Sequence, residues 1–201
     1  YGSIMRTPQP TAVSRLKSSI LNTALTTHYE CWFNPPEVIA DLIPDSKRDL
    51  DYTLSCMEAS LPGTSLATVE LTNDHTGITE RHVHRRQYDT TASFTFLVDS
   101  NYKQIKLFET WIGYIVNEQH NEANNYFYRV NFPRGETGYQ TTLKINKFER
   151  DYNKSFLEYK FLNAYPISIN TMPVSYDGAQ TLKCTVNFNF SRYITNSTAF
   201  K

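Results

Sequence analysis

Three histidines, His75, His82 and His84, fall close together in the middle of the chain and form the one constellation that resembles a metal site. His82 and His84 are two residues apart, so on an extended segment both imidazoles point to the same side, a spacing that zinc accepts. No cysteine or carboxylate follows at ligand spacing, so the set is incomplete and neither metal nor cofactor is expected. Arg81, Arg85 and Arg86 make the same run basic enough to touch nucleic acid, but Glu70, Asp74 and Glu80 flank it. A solvated or intersubunit face suits that mixture better.

Catalytic chemistry finds little footing elsewhere. Nucleophilic catalysis needs a Ser or Cys beside a base, and the chain has no Gly-x-Ser-x-Gly, no His-Glu-x-x-His and no glycine loop to cradle a phosphate. Only 7 of the 201 residues are glycine, and no carboxylate pair stands in a recognisable frame, so an enzyme is not expected. Tyrosine and phenylalanine could stack single-stranded bases, yet they alternate with polar residues as in any sheet core.

Composition narrows the class. Twenty basic and twenty acidic residues cancel, which removes the electrostatic footprint of a protein that grips duplex phosphates. Aromatic residues reach 14%, a mix that favours pleated sheets over disorder. Cys31, Cys56 and Cys184 are odd in number and read as buried thiols in a reducing compartment. There is no basic-then-apolar leader and no apolar run long enough to span a bilayer, so folding in a cytoplasm is the expectation.

The elements follow from periodicity. Residues 1–26 read as a proline-bearing arm followed by a short helix from Ser14 to Leu25, and residues 27–201 as the main β domain. Strands are expected at His28–Phe33, Leu50–Ser60, Thr91–Val98, Tyr126–Phe132 and around Leu143–Ile145 and Leu157–Phe161, with Glu37–Asp49 a connecting excursion. Two polar runs, Ser65–Thr72 and Thr79–Tyr88, flank Asn73–Gly77 and predict a long hairpin. Its sparse apolar residues leave it marginal by itself, so contact outside the domain core is expected to stabilise it.

One convincing helix, Tyr102–Glu118, is capped by Asp99-Ser100-Asn101 and carries a stripe of Ile105, Phe108, Trp111, Ile112 and Ile115 that should cover a sheet face. The last run, Thr181–Ile194, reads as one long strand. Leu182, Cys184, Val186, Phe188 and Phe190 take one face, while Lys183, Thr185, Asn187 and Asn189 take the other, which suits solvent, a partner subunit or an aqueous channel. The fold class is mainly β with one principal helix, about eight strands in all.

In order, Ala59-Ser60-Leu61-Pro62-Gly63, the ribbon to Tyr88, the strand Ala92–Asp99, the helix with Phe108 and Trp111, Ala164-Tyr165-Pro166-Ile167-Ser168-Ile169, and Ser175-Tyr176-Asp177-Gly178 before Thr181–Tyr193 resemble the tail tube proteins of contractile-tailed bacteriophages. The resemblance covers about residues 25 to 195. It implies a β-sandwich or barrel-like domain with an extended hairpin, assembled into stacked sixfold rings inside a sheath. The implied partners are other copies of the chain, the sheath protein, baseplate and terminator proteins, and the tape measure protein and genomic DNA transiently in the lumen. The implied location is the virion tail, assembled in the host cytoplasm without a membrane.

On that reading Val69, Leu71, His75, Ile78, Arg81, Val83, Arg85 and Tyr88 of the ribbon contact a neighbouring subunit, and Lys183, Thr185, Asn187 and Asn189 line the lumen. A neutral wall fits a conduit, because a strongly basic one would hold the passing phosphate. The segments Ser14–Leu25 and Glu37–Asp49 do not map onto the simplest members and leave room for a baseplate protein that initiates the tube. The rival from another class is a monomeric β-barrel that binds nucleic acid or glycan.

Overall fold

A computed structural model describes residues 23–43, 55–72, 77–116, 130–149, 155–178 and 180–199. Nine strands and two helices occur among them: β1 (Tyr29–Phe33), α1 (Glu37–Leu42), β2 (Cys56–Ala59), β3 (Thr64–Leu71), β4 (Glu80–Tyr88), β5 (Thr91–Leu97), α2 (Lys103–Val116), β6 (Thr141–Phe148), β7 (Ser155–Ile169), β8 (Lys183–Asn189) and β9 (Arg192–Ala199). Seven strands form one antiparallel sheet in the order β1-β6-β7-β8-β5-β2, with β9 also on β7, while β3 and β4 form a separate two-stranded ribbon. No helix among the described residues is long and apolar enough to cross a membrane.

The 15-residue β7 is the spine. Its first half lies between β6 and β9, and its second half pairs with β8. The C-terminal run is therefore two strands and not one, broken at Phe190-Ser191. There the Phe190 N–H turns to the Thr90 carbonyl at 2.9 Å while the Ser191 N–H bonds the Leu162 carbonyl at 3.0 Å. The break lets β8 serve both β5 and β7, and β9 continues along the same edge of β7.

The expected alternation holds along β5 and β8: Ala92, Phe94 and Phe96 face the core with Cys184, Val186, Phe188 and Phe190. Helix α2 closes that core, with Phe108 packed 5.2 Å from Phe96 and 5.8 Å from Phe188, ring to ring. Its buried face is rotated from the expected stripe: Gln104, Leu107, Phe108, Trp111 and Tyr114 are buried, while Ile105, Ile112 and Ile115 are half-buried. Asp99 caps the helix as expected. Its Oδ1 accepts the N–H groups of Asn101 and Lys103, and its own N–H donates to Gln104 Oε1 at 3.2 Å, which is why an amide sits inside the core.

Three further expectations are corrected. Of Glu37–Asp49, residues 44–49 lie outside the described residues and the remainder is not a plain excursion: Pro36 opens α1, its carbonyl taking the N–H groups of Ile39 and Ala40, and Ile39 is fully buried. Of the strand expected at Tyr126–Phe132, residues 126–129 lie outside the described residues; residues 130–132 form no strand, and Val130 and Phe132 are exposed, with no strand paired to them among the described residues. Cys31 and Cys184 are buried as expected, but Cys56 is half-buried on the short β2. The Ser14–Leu25 helix falls largely outside the described residues, and residues 23–25 are irregular.

Candidate functional site

The ribbon leaves the sheet through Leu61-Pro62-Gly63, where the chain stops pairing with β5 and begins pairing with β4. Proline cannot donate to a ladder, so the segment separates the two sheets. Several contacts hold the root. The Asp89 carboxylate accepts the Gly63 N–H at 2.7 Å, Tyr193 donates its hydroxyl to the Gly63 carbonyl at 3.3 Å, Arg86 donates to Thr64 Oγ1 at 2.8 Å, and Tyr88 meets Tyr193 edge to face at 5.6 Å. The Arg86 guanidinium lies 4.6 Å from the Tyr88 ring centre, a cation–π contact.

Beyond the root the ribbon projects free of the core. Leu66, Val69, Leu71, Ile78 and Val83 are each between 49% and 63% exposed, five apolar side chains with no core to enter. Register puts Val69 opposite His82 and Thr68 opposite Val83. The ladder skips from Ala67–Arg85 to Thr68–Val83, so His84 is an extra residue in a bulge that breaks the simple two-residue alternation with His82. His82 bonds Glu80 at 3.1 Å, Arg81 bonds Glu70 at 3.4 Å, and His75 lies outside the described residues. Among the described residues no group of three or more His, Cys, Asp or Glu could hold a metal ion.

Of the interface candidates, Val69, Leu71, Ile78, Arg81, Val83 and Arg85 are exposed on the ribbon, whereas Tyr88 is half-buried at its root. The candidates on β8 form a different surface on the sheet face away from α2. Lys183 is exposed, and Thr185, Asn187 and Asn189 are half-buried and tied to both neighbouring strands. Thr185 and Thr95 share a hydrogen bond at 3.1 Å, Asn187 Nδ2 donates to Ser168 Oγ at 3.0 Å and Asn170 Oδ1 at 3.1 Å, and Asn189 Nδ2 donates to Tyr165 Oη at 3.2 Å. This row is a cross-braced, uncharged floor with a single lysine at its end.

A third surface escaped the sequence reading. Register aligns Glu30, Asn146, Glu158 and Asn196 across β1, β6, β7 and β9, with Trp32, Lys144 and Lys160 in the next row. A pocket of about 160 Å³ opens there. Only the pairing register brings these residues together, so no local signal could have found it.

The sequence profile of the family described as phage tail tube protein matches residues 24–196. No curated protein sequence matches the chain significantly. Among solved structures the fold is similar to the sheath/tube terminator of an extracellular contractile injection system, with a TM-score of 0.56 at 12% identity over 87% of this chain and 96% of that one. It is also similar to the tube-terminating cap of the anti-feeding prophage, with a TM-score of 0.58 at 12% identity over 88% and 92%. A third similar structure belongs to the sheath–tube complex of such an injection system, with a TM-score of 0.56 at 11% identity over 96% and 100%. With the profile spanning the sheet, α2 and the ribbon, the chain belongs to the phage tail tube protein family and is a structural tube protein, not an enzyme.

Proposed function

We propose that this chain assembles into sixfold rings that stack as the tube of a contractile tail, the conduit through which DNA enters the host. The observation that carries the reading is the ribbon: a two-stranded sheet outside the main core that exposes Leu66, Val69, Leu71, Ile78 and Val83. An isolated hairpin is marginal in water, and a cover supplied by a neighbouring copy buries that apolar surface. Val69, Leu71, His75, Ile78, Arg81, Val83, Arg85 and Tyr88 are the proposed contacts. The uncharged β8 row of Thr185, Asn187 and Asn189, closed by Lys183, faces the lumen, where few charges hold a passing phosphate backbone.

The solved structures that share this fold include a sheath–tube complex, a terminator and a baseplate, which supports sheath, terminator and baseplate proteins as partners here. The tape measure protein and DNA occupy the lumen in turn. Deleting Val69–Arg85 and closing the gap with a short turn should leave a folded monomer. Light scattering and negative-stain microscopy should then show rings or tubes from the parent and none from the deletion; tubes from the deletion would refute the proposal.

A further inference from the structure

We infer that the pocket between Trp32, Asn146 and Glu158 is the receptor for the Arg85 guanidinium of a neighbouring copy. The inference rests on the ribbon docking against a neighbour and names the contact that would fix its register.

One acceptor of the pocket is unserved, although Lys144, Thr142 and Asn34 also line it. Asn146 Oδ1 is buried with no hydrogen-bond partner, an arrangement that stays unfavourable until a donor arrives. Glu158 lies directly across the ladder from Asn146, and Glu30 lies on its other side. Neither carboxylate is neutralised by a cation among the described residues: Glu158 accepts only the Asn196 amide at 3.3 Å, and Glu30 only the Trp32 indole N–H at 3.1 Å. The Trp32 side chain is 43% exposed beside the opening, and Lys144 lines the wall one row away, so the acceptors gather at the Asn146–Glu158 end.

A planar, multi-donor cation meets these needs together. A guanidinium satisfies an amide oxygen and a carboxylate at once while stacking on an indole, which a compact ammonium does less well. The ribbon carries such groups at three positions. Arg81 is paired with Glu70, and Arg86 is held at the root by Thr64, Tyr88 and Tyr193. The Arg85 guanidinium has no hydrogen bond or ion pair among the described residues, the residue is exposed, and it stands opposite the small Ala67, which leaves its approach open. The nine-residue β4 extends roughly 30 Å, enough to reach past its own domain.

The test is a charge-reversal cycle read by tube sedimentation and electron microscopy of the full chain. Arg85→Glu and Glu158→Arg should each raise the protein concentration needed for assembly at least about tenfold, with melting temperatures unchanged, and the double variant should recover most of that loss. Asn146→Leu should weaken assembly while leaving the monomer as stable as the parent or more so, because it removes the buried orphan oxygen. Single variants that assemble like the parent, or a double variant as defective as either single, would overturn the pairing. If deleting the ribbon abolishes tubes while Arg85→Glu does not, ribbon docking stands and this receptor falls. If the ribbon deletion assembles normally, or the parent never assembles, both fall.

Discussion

Trp111 donates its indole N–H to the Tyr139 carbonyl at 2.9 Å, so the largest fully buried side chain of α2 ties the helix to the strand entry of β6 as well as filling the core against Phe188. Packing and hydrogen bonding are separable here. Trp111→Phe keeps much of the ring but leaves the Tyr139 carbonyl without its donor, a loss of about 1–3 kcal/mol. Trp111→Ala adds a cavity and should cost about 3–5 kcal/mol, a large share of a domain's stability. Denaturant melts of both variants check the order. An Ala variant as stable as the parent that failed only in ring formation would mean that Trp111 serves an interface.

How much of this was legible depended on whether a feature is local. Phe94, Phe96 and the Cys184–Phe190 row were readable because alternation on a half-buried strand is written residue by residue. The face of α2 was misread by a small rotation. Leu107 and Tyr114 flank the shared Phe108–Trp111 centre on the side opposite Ile105 and Ile112, on a helix apolar over a wide arc, and Gln104 joins the buried side by accepting the Asp99 N–H. Val130 and Phe132 continue a strand-like alternation, yet no strand lies beside them among the described residues, and alternation cannot supply one. The ribbon's sequence showed its lack of core contacts, whereas the Trp32–Asn146–Glu158 pocket required the register of three strands.

The ribbon root offers a second test. A Cβ on Gly63 would stand 2.8 Å from Asp89 Oδ2, the oxygen that accepts the Gly63 N–H. Gly63→Ala therefore pushes the carboxylate aside, a flexible group that can move at the loss of this bond. Asp89→Ala removes the acceptor outright. Each change should cost about 1–2 kcal/mol and raise amide exchange at the base of β3 and β4 while the main sheet keeps its protection. Uniformly faster exchange across both sheets would contradict this local role.

Alkaline pH should weaken the fold at the seam where β1 and β2, the two ends of the main sheet, approach each other. Tyr29 donates its hydroxyl to the Cys56 carbonyl at 3.3 Å, and its pKa is pushed up to about 12, first by burial and then by Cys56, Cys31 and Glu58. The Cys31 thiol is raised by its hydrogen bond to Cys56 and by burial, and Cys184 by burial. All are acids whose folded pKa exceeds the unfolded value, so the unfolded chain binds fewer protons at high pH. Their contribution is intact below the ordinary thiol value of 9.0 and the tyrosine value of 10.0, and is lost as pH rises above them. Melting temperature should fall progressively from about pH 9 upward. Tyr29→Phe should flatten the fall above pH 10, and a parent curve level to pH 12 would refute the assignment.

The lumen assignment of β8 can be decided by reagent size. Lys183 is exposed in the monomer and its side chain makes no hydrogen bond or ion pair among the described residues, so Lys183→Cys should leave stability within about 0.5 kcal/mol of the parent. Cys31 and Cys184 are buried, which leaves the half-buried Cys56 as the competing thiol, to be removed as Cys56→Ser. In the monomer, the new thiol should react with a small maleimide and with one coupled to a protein. In assembled tubes, a lumen position keeps the small reaction and loses the large one, because the bulky reagent can enter only at the ends. Equal labelling by both reagents in intact tubes would put the β8 face outside and remove Thr185, Asn187 and Asn189 from the channel wall.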